Sequence, residues 1–200
     1  MSWTIFFTAI ISSMLINNVV LLRFLGVCPF LGVSKKTDSG FAMSVAVMFV
    51  MVMAALVTYL LYYLVLVPLN IEYIQTIAFI LIIASFVQLV EMFIKRFSKK
   101  IYKSLGIYLP LITTNCAILG VAVANISENF IEYGTLPGLA LAVTTAFGAA
   151  LGFGLIMFSF STIRERLEAA NLPESWKGVP VALVTAGIMA LAFLGLGGIV

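Results

Sequence analysis

N-N-V-V-L-L-R-F-L-G-V-C-P-F-L-G-V-S-K-K (17–36) and L-P-L-I-T-T-N-C-A-I-L-G-V-A (109–122) contain the chain's only two cysteines. Cys28 opens C-P-F-L-G-V (28–33) and Cys116 opens C-A-I-L-G-V (116–121), one in each half of a 200-residue chain. Matched thiols in matched settings suggest one shared role where two pseudo-equivalent halves meet. Gly26, Pro29 and Gly32 surround the first cysteine, and Pro110 and Gly120 the second. Pro removes a backbone donor and Gly loosens a helix, so neither segment is expected to be one straight helix. Irregular backbone at membrane depth survives only where protein buries it or it lines a cavity. Paired breaks in two halves therefore point to a midplane site, although Gly and Pro also serve as plain kink and packing residues in membrane helices.

The surrounding composition places these segments in a bilayer. The chain is 63% hydrophobic and 10% charged, with mean hydropathy +1.20; soluble domains carry roughly 25% charged residues. Uncharged runs cover 3–22, 24–34, 39–71, 73–90, 104–127, 133–163 and 178–200. A spanning helix needs about 20 apolar residues, so 24–34 is read as an extension of the first run. The expectation is an all-α integral membrane protein of six transmembrane helices, forming a single domain over 1–200. The first run lacks a basic n-region and a small-residue cleavage site, and reads as a retained span.

Charge sets the orientation. Of eleven Lys and Arg, only Arg23 falls outside the loops after the first, third and fifth spans. The second and fourth loops carry Glu72, and Glu128 with Glu132. The positive-inside rule then makes the odd loops cytoplasmic and puts both termini outside. Basic residues at span ends argue against nucleic acid as a partner. Three spans on each side of the basic loop at 95–103 imply two inverted three-helix repeats, approximately 1–97 and 98–200. Broken or re-entrant segments around Cys28 and Cys116 are part of that expectation.

Counting residues puts Cys116 near the middle of 104–127. The stretch 3–34 exceeds one upright helix, and a helix that crosses and folds back would return Cys28 to a similar depth. Arg23 would then lie in the membrane region and balance negative charge at the site, or else snorkel to the cytoplasmic interface. Asn17, Asn18 and Thr113 sit in otherwise apolar segments, as do Thr114 and Asn115. The first three are candidates for an ion path. Thr114 and Asn115 are candidates for hydrogen bonds to a cofactor's sulfurs, and interhelical bonding is the alternative for all five. Glu91 precedes Lys95 by four residues and suits a helical ion pair.

Three chemistries fit the cysteines: a disulfide, packing as small apolar residues, or ligation. The chain has no histidine, which excludes bis-His haem, a Rieske centre, His-ligated zinc and a His-centred triad within it. No G-x-G-x-x-G or Walker-type loop is present, so nucleotide chemistry would belong to a partner. A [2Fe–2S] centre needs four ligands, two more than the chain supplies.

The two quoted segments resemble those of the membrane proteins shared by Rnf complexes and the Na+-translocating NADH:quinone oxidoreductase. They are more similar to the Rnf A branch than to the quinone-reductase E branch. The likeness extends through P-L-N (68–70), I-R-E-R-L (163–167) and T-A-G-I-M-A-L-A-F-L-G (185–195). It implies six spans and pairing with a homologous membrane protein of opposite topology, the E-type member of the Rnf complex. It further implies that Cys28 and Cys116 supply two of four ligands to a shared intramembrane [2Fe–2S] cluster. Other Rnf subunits would carry flavin and iron–sulfur centres. The complex would couple ferredoxin/NAD(H) electron transfer to Na+ or H+ transport in a bacterial or archaeal cytoplasmic membrane. This chain would be one component of that translocase, without a complete active site of its own. A secondary transporter or channel with structural cysteines is the alternative of a different class.

Overall fold

The computed structural model describes residues 3–34, 37–97, 111, 115–128, 135–170, 173 and 176–197. Among these every regular element is helical. The first segment comprises α1 (Trp3–Ile11), a π-helical turn π1 (Ser12–Ile16), α2 (Val19–Leu22) and α3 (Val27–Val33). There follow α4 (Thr37–Leu61), π2 (Tyr62–Leu66), the short α5 (Val67–Leu69) and a 3-10 turn at Glu72–Ile74. The remaining helices are α6 (Gln75–Phe97), α7 (Cys116–Ser127), α8 (Thr135–Glu168) and α9 (Val179–Gly197).

Three apolar stretches are long enough to cross a membrane: Thr4–Leu22, Gly40–Leu69 and Leu136–Glu168. Three shorter apolar helices, Gln75–Leu89, Cys116–Ser127 and Val179–Gly195, occupy the other predicted spans. Among the described residues each apolar segment falls on an uncharged run, while the helices themselves differ in length.

The 34-residue α8, about 50 Å long at 1.5 Å per residue, is the central element. Its core-facing stripe runs Ala142, Ala146, Ala149, Ala150, Phe153, Ile156, Met157, Phe160, Ser161 and Arg164, all buried. That spacing of three and four keeps one face inward. It packs most extensively on α4, whose Met43, Val47, Val50, Met51 and Ala54 belong to the same buried cluster. On another side Gly148 and Gly152 admit the backbone of α1 and π1. A Cβ at Gly148 would stand 2.8 Å from the Ile10 carbonyl oxygen, and one at Gly152 would stand 2.6 Å from that of Met14. Small residues four apart allow such close helix approach in membrane proteins.

The first segment differs from the cross-and-fold-back expectation. Ile10 and Met14 lie against Gly148 and Gly152, near the middle of α8, and there the helix stops. The chain detours through α2, and α3 continues to the far end of α8, where Leu31 and Ser34 meet Arg164. The result is one interrupted traverse of the bundle. Pro29 and Gly32, expected to break it, lie inside α3. A proline in the first turn removes only an N–H that has no intrahelical partner there. The interruptions fall instead at Asn17–Asn18 and at Phe24–Gly26, where Phe24 (φ 51°) and Gly26 (φ 84°) are left-handed.

Candidate functional site

Both cysteines stand at helix starts. Cys116 is the first residue of α7, capped by Asn115, and Cys28 is the second residue of α3, capped by Gly26. The Gly26 N–H donates to Cys116 Sγ at 2.9 Å, joining sequence positions 90 residues apart. Space at Gly26 is also tight: a Cβ there would lie 2.9 Å from Phe153 Cε2, 3.2 Å from Ala117 Cβ and 3.3 Å from Asn115 Oδ1. Its left-handed φ and this crowding both demand glycine. Because Phe153 is near the midpoint of α8, the Gly26–Cys116 junction is near mid-bundle.

Both thiols are free; Cys116 is half-buried and Cys28 is exposed. Leu22 and Phe24, also exposed, place an apolar surface on the same segment. Two helix starts near one junction bring positive dipole ends together, a setting that favours negative charge. Among the described residues no group of three or more His, Cys, Asp or Glu is gathered as a metal site.

Two buried asparagines begin helices in parallel fashion. Asn18 Oδ1 accepts from the Val20 N–H at 3.1 Å, and Asn115 Oδ1 accepts from the Ala117 N–H at 3.0 Å. Each satisfies a donor that the helix start leaves open. Their amides differ. Asn18 Nδ2 donates to the Met14 carbonyl at 3.0 Å, whereas Asn115 Nδ2 is buried without a partner. An orphan donor one residue from Cys116 is uncommon, since buried polar groups are nearly always paired.

A small cavity of about 40 Å³ opens between the first segment, α7 and α8. Ser13, Asn17, Arg23, Asn125, Glu128 and Thr145 supply its polar lining. Asn125, which composition alone did not single out, is buried and donates to the Ala142 carbonyl at 3.2 Å. Arg23 therefore faces Glu128 and not the basic end of the bundle. Burial raises the Glu128 carboxyl above its ordinary value, and Arg23 works in the opposite direction. Thr113 and Thr114 lie outside the described residues.

Sequence reasoning missed Arg164. It is 4% exposed, and its Nη1 donates to the Leu31 carbonyl at 2.7 Å and to Ser34 Oγ at 2.8 Å. Extending the stripe Phe153, Met157, Phe160 by one more step of four lands on it, which is the signal that was available.

The family model described as "Rnf-Nqr subunit, membrane protein" matches residues 6–200. The chain belongs to the Rnf-Nqr family of membrane subunits. It is 55% identical over 190 residues to the A component of the Na+-translocating ferredoxin:NAD+ oxidoreductase complex of Acetobacterium woodii, covering 94% of each chain. It is 50% identical over 191 residues to the A component of the ion-translocating oxidoreductase complex of Syntrophotalea carbinolica, covering 96% of this chain and 95% of that one. The corresponding protein of Aeromonas salmonicida is 49% identical over 193 residues, at 96% and 95% coverage. This Rnf-Nqr chain is accordingly a membrane subunit of an ion-translocating oxidoreductase complex.

Proposed function

We propose that this chain is half of an intramembrane electron relay, with Cys28 and Cys116 supplying two of the four ligands to a [2Fe–2S] cluster shared with a homologous subunit of opposite topology. The observation that carries this reading is the Gly26 N–H to Cys116 Sγ contact: it ties the start of α3, with exposed Cys28, to the start of α7. The residues suit such a group. Both thiols are free and stand at helix starts, and one is open to the chain's surface, as a site completed by another chain requires. The orphaned Asn115 Nδ2 adds a donor for a cluster sulfur. When bound, the cluster supplies one-electron transfer between the complex's other redox centres.

In this reading six spans form two inverted repeats in a cytoplasmic membrane, with the basic loops inside and both termini outside. Asn115 and Asn18 terminate the broken segments, and Gly26 permits their close approach. Arg23, and Thr114 by its place next to Asn115, are weaker contributors to the cluster's surroundings. Asn17 lines the small polar cavity between the first segment, α7 and α8, which is the candidate passage for Na+ or H+; Asn18 and Thr113 are further candidates by their polarity in apolar segments. Electrons would move between ferredoxin and NAD(H) through partner subunits carrying flavin and iron–sulfur centres.

The test is to purify the complex with Cys28→Ser or Cys116→Ser beside wild type and measure iron content and EPR. Loss of one cluster's signal in both variants, with the other centres intact, supports the proposal. Unchanged iron and spectra would overturn it. Cation transport by this chain alone, without redox partners, would favour a secondary transporter instead.

A further inference from the structure

The I-R-E-R-L stretch (163–167) stands apart from the cysteine junction, yet it holds the helix that bears Cys28. Leu31 lies in the last turn of α3 and Ser34 is its C-cap. Last-turn carbonyls have no intrahelical donor, and the C-terminal end of a helix is negative. Arg164 meets both conditions by donating to Leu31 O at 2.7 Å and Ser34 Oγ at 2.8 Å, with Ser34 fully buried. The next residue, Glu165, accepts a hydrogen bond from Thr37 Oγ1, the first residue of α4.

One turn back along α8, Phe160 stacks on Phe30 with ring centroids 3.9 Å apart and planes at 21°. Ser161 packs against Gly40, where a Cβ would not fit. Helix α8 thus grips α3 and the start of α4 on both sides of their connection. A buried arginine is costly in an apolar bundle and is retained where it has specific work. Cys28 sits only three residues before Leu31, about 4.5 Å along the helix axis. A displacement at the gripped end of so short a helix is carried to the thiol.

We propose that Arg164 is a positioning residue: by holding the C-terminal end of α3 it fixes Cys28 relative to Cys116, and so tunes the cluster these thiols would help ligate. The cluster part rests on the reading under Proposed function; the gripping of α3 does not.

The experiment uses the intact complex with Arg164→Lys and Arg164→Gln. A lysine ammonium also has several donors, but as a compact point charge on an unbranched stem it cannot hold both Nη1 acceptors in the guanidinium's fixed geometry. R164K is expected to assemble with full iron content, with its reduction equilibrium shifted about tenfold (about 59 mV for one electron) and altered EPR line shape. R164Q is expected to lose at least half of the cluster. Wild-type potential and line shape in R164K would overturn the cluster part, whether or not R164Q assembles.

A second arm needs no cluster. In membranes carrying this chain with Cys116→Ser, the rate at which a maleimide labels Cys28 should rise at least fivefold when Arg164→Lys is added. An unchanged rate would overturn the gripping of α3. If Cys28→Ser leaves the complex's iron and spectra intact, the cluster reading fails, and the labelling arm still reports on Arg164.

Discussion

Asn18 and Asn115 perform the same local task with different consequences. Each caps a helix start, and losing a cap costs about 0.5–2 kcal/mol. Asn18 also donates to the Met14 carbonyl, while the Asn115 amide has no partner. Asn18→Ala should therefore lower the thermal midpoint more than Asn115→Ala, whose truncation also removes an orphan. Asn115→Ala should instead lower the reduction potential of the proposed cluster, since hydrogen bonds to cluster sulfurs help set it. Thermal unfolding and redox titration on the same two variants separate these effects; equal midpoints with equal potentials would contradict the assignment.

At the same scale, Glu128 provides a pH signature. Its carboxyl is raised from its ordinary 4.5 by burial, with Arg23 opposing. The folded chain then binds that proton more tightly than the unfolded chain. The contribution is fully present below the ordinary carboxylate range and is lost as pH rises through the raised value. Glu128→Gln should flatten the decline in thermal midpoint over this range, and Arg23→Gln should steepen it. These residues were legible in part. Charge scarcity marked Arg23 at once, but its partner is 105 residues away, and only the packing of the first segment against α7 brings them to one cavity.

Among the elements, α4 carries an imperfection that packing explains. Tyr59 is buried beside Leu141 and Ala142, with its ring 4.6 Å from that of Tyr63, and its hydroxyl has no hydrogen-bond partner. A buried unsatisfied hydroxyl costs about 1–3 kcal/mol. Tyr59→Phe should raise the thermal midpoint of the detergent-solubilised chain, by up to about 1 kcal/mol of stability. A lower midpoint would show that the hydroxyl is bonded. Element boundaries were the least legible feature of the chain. Gly26 does break the segment, because it combines left-handed backbone with close neighbours on α7 and α8. Pro29 does not itself interrupt the segment, because proline is harmless in the first turn of α3. Asn17 and Asn18 were noted for their polarity, yet their stronger signal was a cap in the middle of an apolar run.

For the whole molecule, hydropathy and the repeated C-x-x-L-G-V pattern went furthest. Six apolar segments and a junction between the two cysteine motifs followed from runs, spacing and symmetry, all properties of local sequence. The grip of α8 on α3 did not follow, because it joins residues 130 and more apart through an arginine that its sequence neighbours make look like an ordinary loop charge. The same gap separates a half-site from a complete one. Cys28 is exposed on this chain, and in the proposed reading a second chain covers it. The most direct test is iron and acid-labile sulfide per chain, measured on this protein expressed alone and co-expressed with the proposed homologous membrane partner. About two irons and two sulfides per pair are expected, and none on the chain alone. Stoichiometric iron on the lone chain, or an assembled pair without iron, would contradict the shared cluster.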